Sequence, residues 1–252
     1  MSEPAESTPQ QPSDESIRRP LPIERAAAAL EVIVCSGFPT QFVVVTVLAT
    51  FGMKPNLPGG ALSPPFIFTL TLLDSLLLIG LVFFFFRAHH ESPAAMLFGS
   101  RPTMREALVG LALIPASYAV VIAVLSAVQL TVPSLRNVPH NPLQDLAKTR
   151  LDALLFSVVV LVGGGVREEI QRGFVLRRFE QYLGGGALGL VLFSAVFGLG
   201  HLEQGNDVAL ATATLGAFWG AIYLRRRSIL GPMIGHAGFD LAQVLRFVII
   251  GQ

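Results

Sequence analysis

Several stretches of this chain are nearly as long and apolar as a helix that crosses a lipid bilayer, which needs about 20 residues. The clearest is 66–86, where Asp74 is the single charged residue among aliphatic and aromatic side chains. Overall, 52% of the 252 residues are hydrophobic and 14% are charged, whereas a soluble domain carries about 25% charged residues. The sequence therefore predicts an all-α fold, a polytopic bundle of transmembrane helices.

The apolar runs predict about seven spans, separated by polar loops. Residues 1–25 are rich in Pro, Ser, Glu and Gln and lack the apolar core of a signal peptide, so we expect a disordered cytoplasmic tail. Residues 26–150 would form the first three transmembrane helices, and residues 151–252 a catalytic transmembrane region. The predicted spans are 26–51, 66–86, 107–132, 154–178, 187–201, 208–224 and 229–250.

The charges exclude one class of partner and orient the chain. A net charge of +1, with arginines distributed between segments, gives no basic patch for nucleic acid. Lys and Arg accumulate in cytoplasmic loops, and here most of them lie on the side of the N terminus. We therefore expect a cytoplasmic N terminus.

Isolated polar residues in the first two spans have structural interpretations. Glu31 lies near the start of its span, and we expect its head group to reach the membrane interface. Asp74 lies mid-span, where it would bond a Ser or Thr hydroxyl or line a cavity. Cys35 has no partner for an internal disulfide and is expected to be a small packing residue.

The span 154–178 carries the feature that most suggests chemistry. An uncharged apolar run leads into Arg167, Glu168, Glu169 and Arg172 before apolar residues resume. Ionised side chains inside a membrane segment are costly and point to a functional site. Two later segments could complete such a site. These are FGLGH, which ends at His201, and HAGFD, which begins at His236 and ends at Asp240.

Helical spacing lets these groups face one cavity. Glu168 and Arg172 are four residues apart, as are His236 and Asp240, so each pair shares a helix face. A carboxylate in apolar surroundings can serve as a general base for water, and an imidazole can assist it or stabilise an oxyanion. Two histidines and a carboxylate would also match a catalytic zinc site, although neither HExxH nor GxSxG is present. From the residues alone, a hydrolase and a transporter both remain open.

These three motifs resemble those of the CPBP family, which comprises CAAX proteases and bacteriocin-processing (Abi) enzymes. The family pattern is EExxxR, FxxxH and HxxxN or HxxxD, and the resemblance covers residues 151–245. It implies an intramembrane endopeptidase, of the CAAX prenyl protease type 2 kind, acting on a membrane-associated peptide or protein. It also implies that the motif glutamate and His201 activate water, while His236 and Asp240 support the oxyanion or a metal.

One departure from the family pattern leaves two registers open. Only two residues, rather than three, separate Glu169 from Arg172. Anchoring on the glutamates makes Glu168 the base, Glu169 the reserve candidate and Arg172 the residue that orients Glu168. Anchoring on Arg172 instead puts Arg167 at the first glutamate position, as in a pseudoenzyme that serves as a scaffold or transporter. The glycines at 163–165 favour a local helix distortion that could re-aim Glu168, and we prefer the active register.

The expected setting follows from the spans and the resemblance together. We expect an integral, multi-pass protein of a bacterial plasma membrane, in contact with lipid. A cofactor is not fixed by the sequence; if zinc takes part, His201 and His236 are its candidate ligands.

Overall fold

The computed structural model describes residues 19–250 and confirms the all-α fold in that part of the chain. A π-helix, Leu161–Glu168, joins α6 to α7, and short 3-10 turns lie between other helices. The ten α-helices of the described residues are α1 Pro22–Val34, α2 Phe38–Thr50, α3 Pro64–Ala88, α4 Pro93–Phe98, α5 Thr103–Thr131, α6 Arg150–Val160, α7 Glu169–Tyr182, α8 Gly186–Leu199, α9 Asn206–Arg226 and α10 Leu230–Ile250.

The apolar helices are those of an integral membrane protein. Within the described residues, α3, α5 and α9 are long and apolar enough to cross a bilayer, and α1 and α2 make a fourth candidate if they count as one bent span. Helix α8 is apolar but has only 14 residues, fewer than the roughly 20 of a straight crossing. The count of seven spans is thus unconfirmed and stays a prediction.

The first predicted span, 26–51, is not one continuous helix. It breaks between Val34 and Phe38, and α1 and α2 meet at an angle of 41°. Gly37 precedes α2 with a φ of +92°, a conformation that glycine adopts without steric cost. Most of the predicted disordered tail, residues 1–18, lies outside the described residues, and α1 begins at Pro22.

Helix α7 lies at the centre of the bundle. Its residues from Glu169 to Leu176 are all buried, and they pack against α1, α3, α4, α8 and α9. Phe174 stacks on Phe85 and meets Phe86 edge-on. Because α7 is enclosed on several sides, the chemistry-bearing residues at its start are held by helices from both halves of the chain.

Glu31 is buried and paired, and it does not extend to an exposed position as expected. It accepts a hydrogen bond of 2.6 Å from Arg178 Nε, and it also contacts the ring of His89. Arg178 binds Glu91 as well, at 2.7 Å. A buried carboxylate is tolerated when it is paired and hydrogen-bonded, so this network joins α1 and α7 to the turn after α3.

Candidate active site

The segment that carries the glutamates is distorted. Helix α6 widens into the π-helix Leu161–Glu168, which ends where α7 begins. Such π-helical turns are uncommon and occur frequently at functional sites. The expected distortion at the triple glycine is therefore present in the structure.

Each of the three glycines permits a close approach by another helix. A Cβ atom at Gly163, Gly164 or Gly165 would come within 3.0 Å of a side chain on α3 or α10. For Gly164, the opposing atom is a carboxylate oxygen of Asp240. The glycine run thus lets the π-helix lie directly against the helix that carries His236 and Asp240.

The register places Glu168, and not Arg167, against His236. Glu168 Oε2 lies 3.7 Å from His236 Nε2. Arg167 points toward α3, where its Nη2 donates a hydrogen bond of 2.8 Å to Asp74 Oδ2. The expected structural bond of Asp74 is also formed, since it accepts from the Thr40 hydroxyl.

Glu169 occupies the innermost position of the site. It has no exposed surface and accepts hydrogen bonds from Arg172 Nη1 and from His236 Nδ1, the latter at 2.8 Å. We expected Arg172 to orient Glu168. It binds Glu169 instead, because Glu169 is the first residue of α7 and lies one α-helical turn before Arg172.

Aromatic rings surround the Arg172 guanidinium, which is also fully buried. Its central carbon lies 5.4, 5.1 and 5.6 Å from the ring centres of Phe193, Phe197 and Trp219. A cation above aromatic faces is attracted by their quadrupoles, most strongly where water is excluded. Arg172 therefore has both a carboxylate and an aromatic cage to balance its buried charge.

His236 is held on both nitrogens by carboxylates. Its Nδ1 faces Glu169, while its Nε2 lies 3.4 Å from Asp240 Oδ2, one turn further along α10. The ring stacks on Trp219 with a centroid distance of 3.9 Å. Hydrogen bonds in the ring plane and stacking on its face together fix the orientation of this imidazole.

His201 lies immediately after α8 and is linked to the other groups through an aromatic ring. Its Nδ1 donates to the carbonyl oxygen of Phe197 at 2.8 Å, which leaves Nε2 of the neutral ring as an acceptor. The Phe197 ring centre lies 5.0 Å from that of His201 and 6.3 Å from that of His236. The structure thus brings Glu168, Glu169, Arg172, His236 and Asp240 into polar contact, and His201 joins them only through Phe197.

The two glutamates differ in access to water. The side chains of Glu168 and Asp240 are 19% and 24% exposed, whereas Glu169 is sealed. Glu168 and Asp240 therefore keep exposed surface beside the Nε2 atom of His236. Glu169 can act only through the groups that it holds.

The described residues do not form a donor set for the zinc ion that the sequence left open. Among residues 19–250, no three His, Cys, Asp or Glu side chains are grouped so as to hold one ion. In His236 and His201 the Nδ1 atom is bonded to Glu169 and to a backbone carbonyl, respectively. Metal-ligating histidines make the same bond with the nitrogen that does not bind the metal, so these contacts leave the Nε2 atoms as the candidate donors.

Three contributors to the site were not found from the sequence. Trp219 is the only tryptophan of the chain, but nothing in its spacing related it to His236. The glycine run at 163–165 was recognised in the sequence, but the contact between Gly164 and Asp240 was not predicted. The pairing of Arg167 with Asp74 joins residues 93 positions apart, so no local periodicity could reveal it.

Comparison with known proteins gives one match. Residues 150–242 fit the family model described as type II CAAX prenyl endopeptidase, Rce1-like. No curated protein and no solved structure matches the chain. The matched range contains every residue from Glu168 to Asp240 discussed above, while Thr40 and Asp74 lie outside it.

Proposed function

We propose that this protein is an intramembrane endopeptidase whose water nucleophile is activated by Glu168 and His201. The match of residues 150–242 to the model of type II CAAX prenyl endopeptidases supports this proposal. The substrate would be a peptide or protein delivered from the membrane. The family supplies the reaction class, and the geometry of the site supports the roles of the individual residues.

The observation that carries the proposal is the direction of Glu168. Its carboxylate is partly exposed and lies 3.7 Å from His236 Nε2, while Arg167 turns away to Asp74. A scaffold or transporter built on a degenerate site would have Arg167 in that position instead. The observed register therefore favours the hydrolase.

In the first step, Glu168 accepts a proton from a water molecule beside it. The Nε2 atom of His201 accepts the second hydrogen bond from that water and helps to orient it. The water oxygen then bonds to the carbonyl carbon of the scissile peptide, and the electrons of the C=O bond move to its oxygen. A positioned general base of this kind contributes about 10²–10⁴-fold to a rate.

In the second step, the tetrahedral oxyanion collapses. His236 acts here as an imidazolium, with its Nδ1–H bonded to Glu169 and its Nε2–H donating a hydrogen bond to the oxyanion. Asp240, 3.4 Å from Nε2, helps to hold the proton there. The C–N bond breaks as the nitrogen takes the proton that Glu168 had accepted. The products are a carboxylic acid and an amine, and Glu168 is again ionised.

Glu169 and Arg172 would support these steps without touching the substrate. Glu169 binds Nδ1 of His236, so that Nε2 points into the site. Arg172 balances the charge of Glu169 from within its aromatic cage. This makes Glu169 a positioning residue, whereas we had expected it to be a reserve base.

We also propose a multi-pass protein of a bacterial plasma membrane with a cytoplasmic N terminus. Its predicted cytoplasmic segments contact one another, which supports a common side for them. Arg101 in the turn before α5 donates to the carbonyl of Arg226 at the end of α9, at 2.7 Å. Arg178 near the end of α7 binds Glu91 in the turn after α3.

The test uses the full chain in proteoliposomes with two matched fluorogenic peptides, one prenylated at the cysteine of a C-terminal Cys-aliphatic-aliphatic-X sequence and one not. We expect Glu168→Gln and His201→Ala to reduce cleavage, Glu168→Gln by about 10²-fold or more. Both variants should accumulate like the wild type. Wild-type turnover in both variants would refute the assignment, and comparison of the two peptides tells whether the prenyl group is recognised.

A further inference from the structure

We propose that Arg167 and Asp74 form a positioning pair through which the N-terminal helices set the direction of Glu168. This inference rests on the proposed function, since it concerns the aim of the proposed base. It extends that function to residues of α2 and α3, which lie outside the family match.

Arg167 lies between Asp74 and the proposed base. Its Nη2 atom is 2.8 Å from Asp74 Oδ2, and its Nη1 atom is 3.8 Å from Glu168 Oε1. The guanidinium is planar and presents several donors in a fixed geometry. A guanidinium held by Asp74 on one edge therefore offers its other edge to the carboxylate of Glu168.

Asp74 is itself fixed from α2. It accepts a hydrogen bond from the Thr40 hydroxyl, and both residues are buried. The break before α2 leaves room for the arginine, because a Cβ atom at Gly37 would lie 2.5 Å from Arg167 Nη2. The helix break, Thr40 and Asp74 thus form a binding site for the Arg167 side chain.

A second contact anchors the same face of the segment. Gln171 Nε2 donates to the carbonyl oxygen of Cys35 at 2.7 Å, across the break between α1 and α2. Arg167 and Gln171 are four residues apart and so lie on one face of the helix. This face is directed to the N-terminal helices, while Glu168 and Glu169 are directed to α10.

The anchor matters because the π-helix could otherwise relax. Adjacent residues of an α-helix differ in direction by about 100°, so a change of one residue in register would swing Glu168 away from His236. Such a change would also drag the Arg167 charge from Asp74 toward lipid or apolar side chains, which is costly. The ion pair therefore opposes loss of the catalytic register.

A purely structural ion pair would behave differently on mutation. Removing one partner of a buried pair leaves an uncompensated charge, whereas replacing both with apolar residues is often neutral for stability. If the pair only stabilises the fold, the double replacement restores stability and activity together. If it aims Glu168, the double replacement restores stability alone.

The experiment compares Arg167→Met, Asp74→Leu and their combination with the wild type, by thermal unfolding in detergent and by steady-state cleavage of the peptide above. A control applies the same kinds of replacement, Glu106→Leu and Arg226→Met, to an ion pair between α5 and α9 in which Glu106 is buried and Arg226 is 28% exposed. We expect the double Asp74→Leu/Arg167→Met variant to unfold near the wild-type temperature. Its kcat should be lowered about tenfold or more while its KM stays nearly unchanged, because a small misplacement of a catalytic group can cost up to about 10²-fold in rate. The control double variant should keep both its unfolding temperature and its kcat.

Two further variants keep the test decisive if the single charge removals fail to accumulate. Arg167→Lys should retain more kcat than the double Asp74→Leu/Arg167→Met variant, because the charge remains. Thr40→Val removes the hydroxyl donor from Asp74 without leaving a lone buried charge, and it should lower kcat but not abundance. A wild-type kcat in both the double variant and Thr40→Val would overturn the inference.

The two proposals fail in distinguishable ways. If the wild type shows no cleavage that depends on Glu168, the proposed function fails before any Arg167 variant is compared. If Glu168→Gln is inactive while the Asp74 and Arg167 variants turn over normally, the protease stands and only the positioning role is lost.

Discussion

Glu169 binds Nδ1 of His236 at 2.8 Å from a position without any exposed surface. The preceding residue, Glu168, faces Nε2 of the same ring from a partly exposed position. Two carboxylates that are adjacent in sequence thus lie beside the two different nitrogens of one imidazole ring. Their surroundings differ, because Glu168 keeps exposed surface and Glu169 has none.

The two glutamates should respond differently to the same substitution. We expect Glu168→Gln and Glu169→Gln both to lose cleavage, but only Glu169→Gln to lose stability. Glu169→Gln leaves the charge of Arg172 unbalanced in the core, and breaking a buried pair costs about 3–5 kcal/mol. Thermal unfolding of the two purified variants, beside their cleavage rates, measures the difference. Equal unfolding temperatures would contradict the assigned roles.

Gly164 should be irreplaceable for a steric reason. A methyl group at this position would collide with the carboxylate of Asp240, so Gly164→Ala should displace Asp240 and reduce kcat. Gly80 in α3 provides the control, because a Cβ atom there meets nothing within 4 Å. We expect Gly80→Ala to keep full activity and to be slightly more stable, by roughly 0.5–1 kcal/mol. Normal turnover by Gly164→Ala would show that cleavage does not depend on the observed position of the Asp240 carboxylate.

Cleavage should not depend on a metal that chelators remove. The described residues offer no group of three His, Cys, Asp or Glu side chains that could hold one ion. We expect activity to persist in excess chelator and the purified protein to lack stoichiometric zinc by elemental analysis. Loss of activity with chelator and its recovery on adding zinc would contradict this expectation.

The network near the end of α7 should contribute to stability. Arg178 has no exposed surface and binds Glu31 and Glu91. The neighbouring Arg177 is 31% exposed and lies 3.5 Å from Glu180. We expect Arg178→Met to cost about 3–5 kcal/mol, because it strands a buried carboxylate. Arg177→Met should cost less than about 1 kcal/mol, as is usual for accessible ion pairs. The unfolding temperatures of the two variants measure this difference. Similar decreases in unfolding temperature would show that burial does not determine the contribution of these arginines to stability.

The broad architecture and the site motifs could be predicted from the sequence because both depend on local patterns. Apolar runs gave the helices, and spacings of four residues gave the shared faces of His236 and Asp240. The triple glycine also indicated the distortion before Glu168. Each of these signals lies within one or two helical turns.

Contacts between distant segments were not predictable in this way. The partner of Arg172 changed from Glu168 to Glu169 because the helix type changes between them. Glu31 was expected at the interface because its span was read alone, without Arg178, which lies 147 positions later. The break after Val34 was not predicted, because the three residues from Cys35 to Gly37 are too short an interruption of the apolar run to indicate a loop.

The anchoring of Arg167 on Asp74 bears on how such proteins diverge. Loss of the aspartate at position 74 in a relative would leave the arginine at 167 without this partner. The residues at the two positions should therefore change together among relatives. A chimera that joins residues 150–242 to N-terminal helices without this acid would separate Arg167 from its Asp74 partner. Interchange of the two halves is therefore restricted by a single charge.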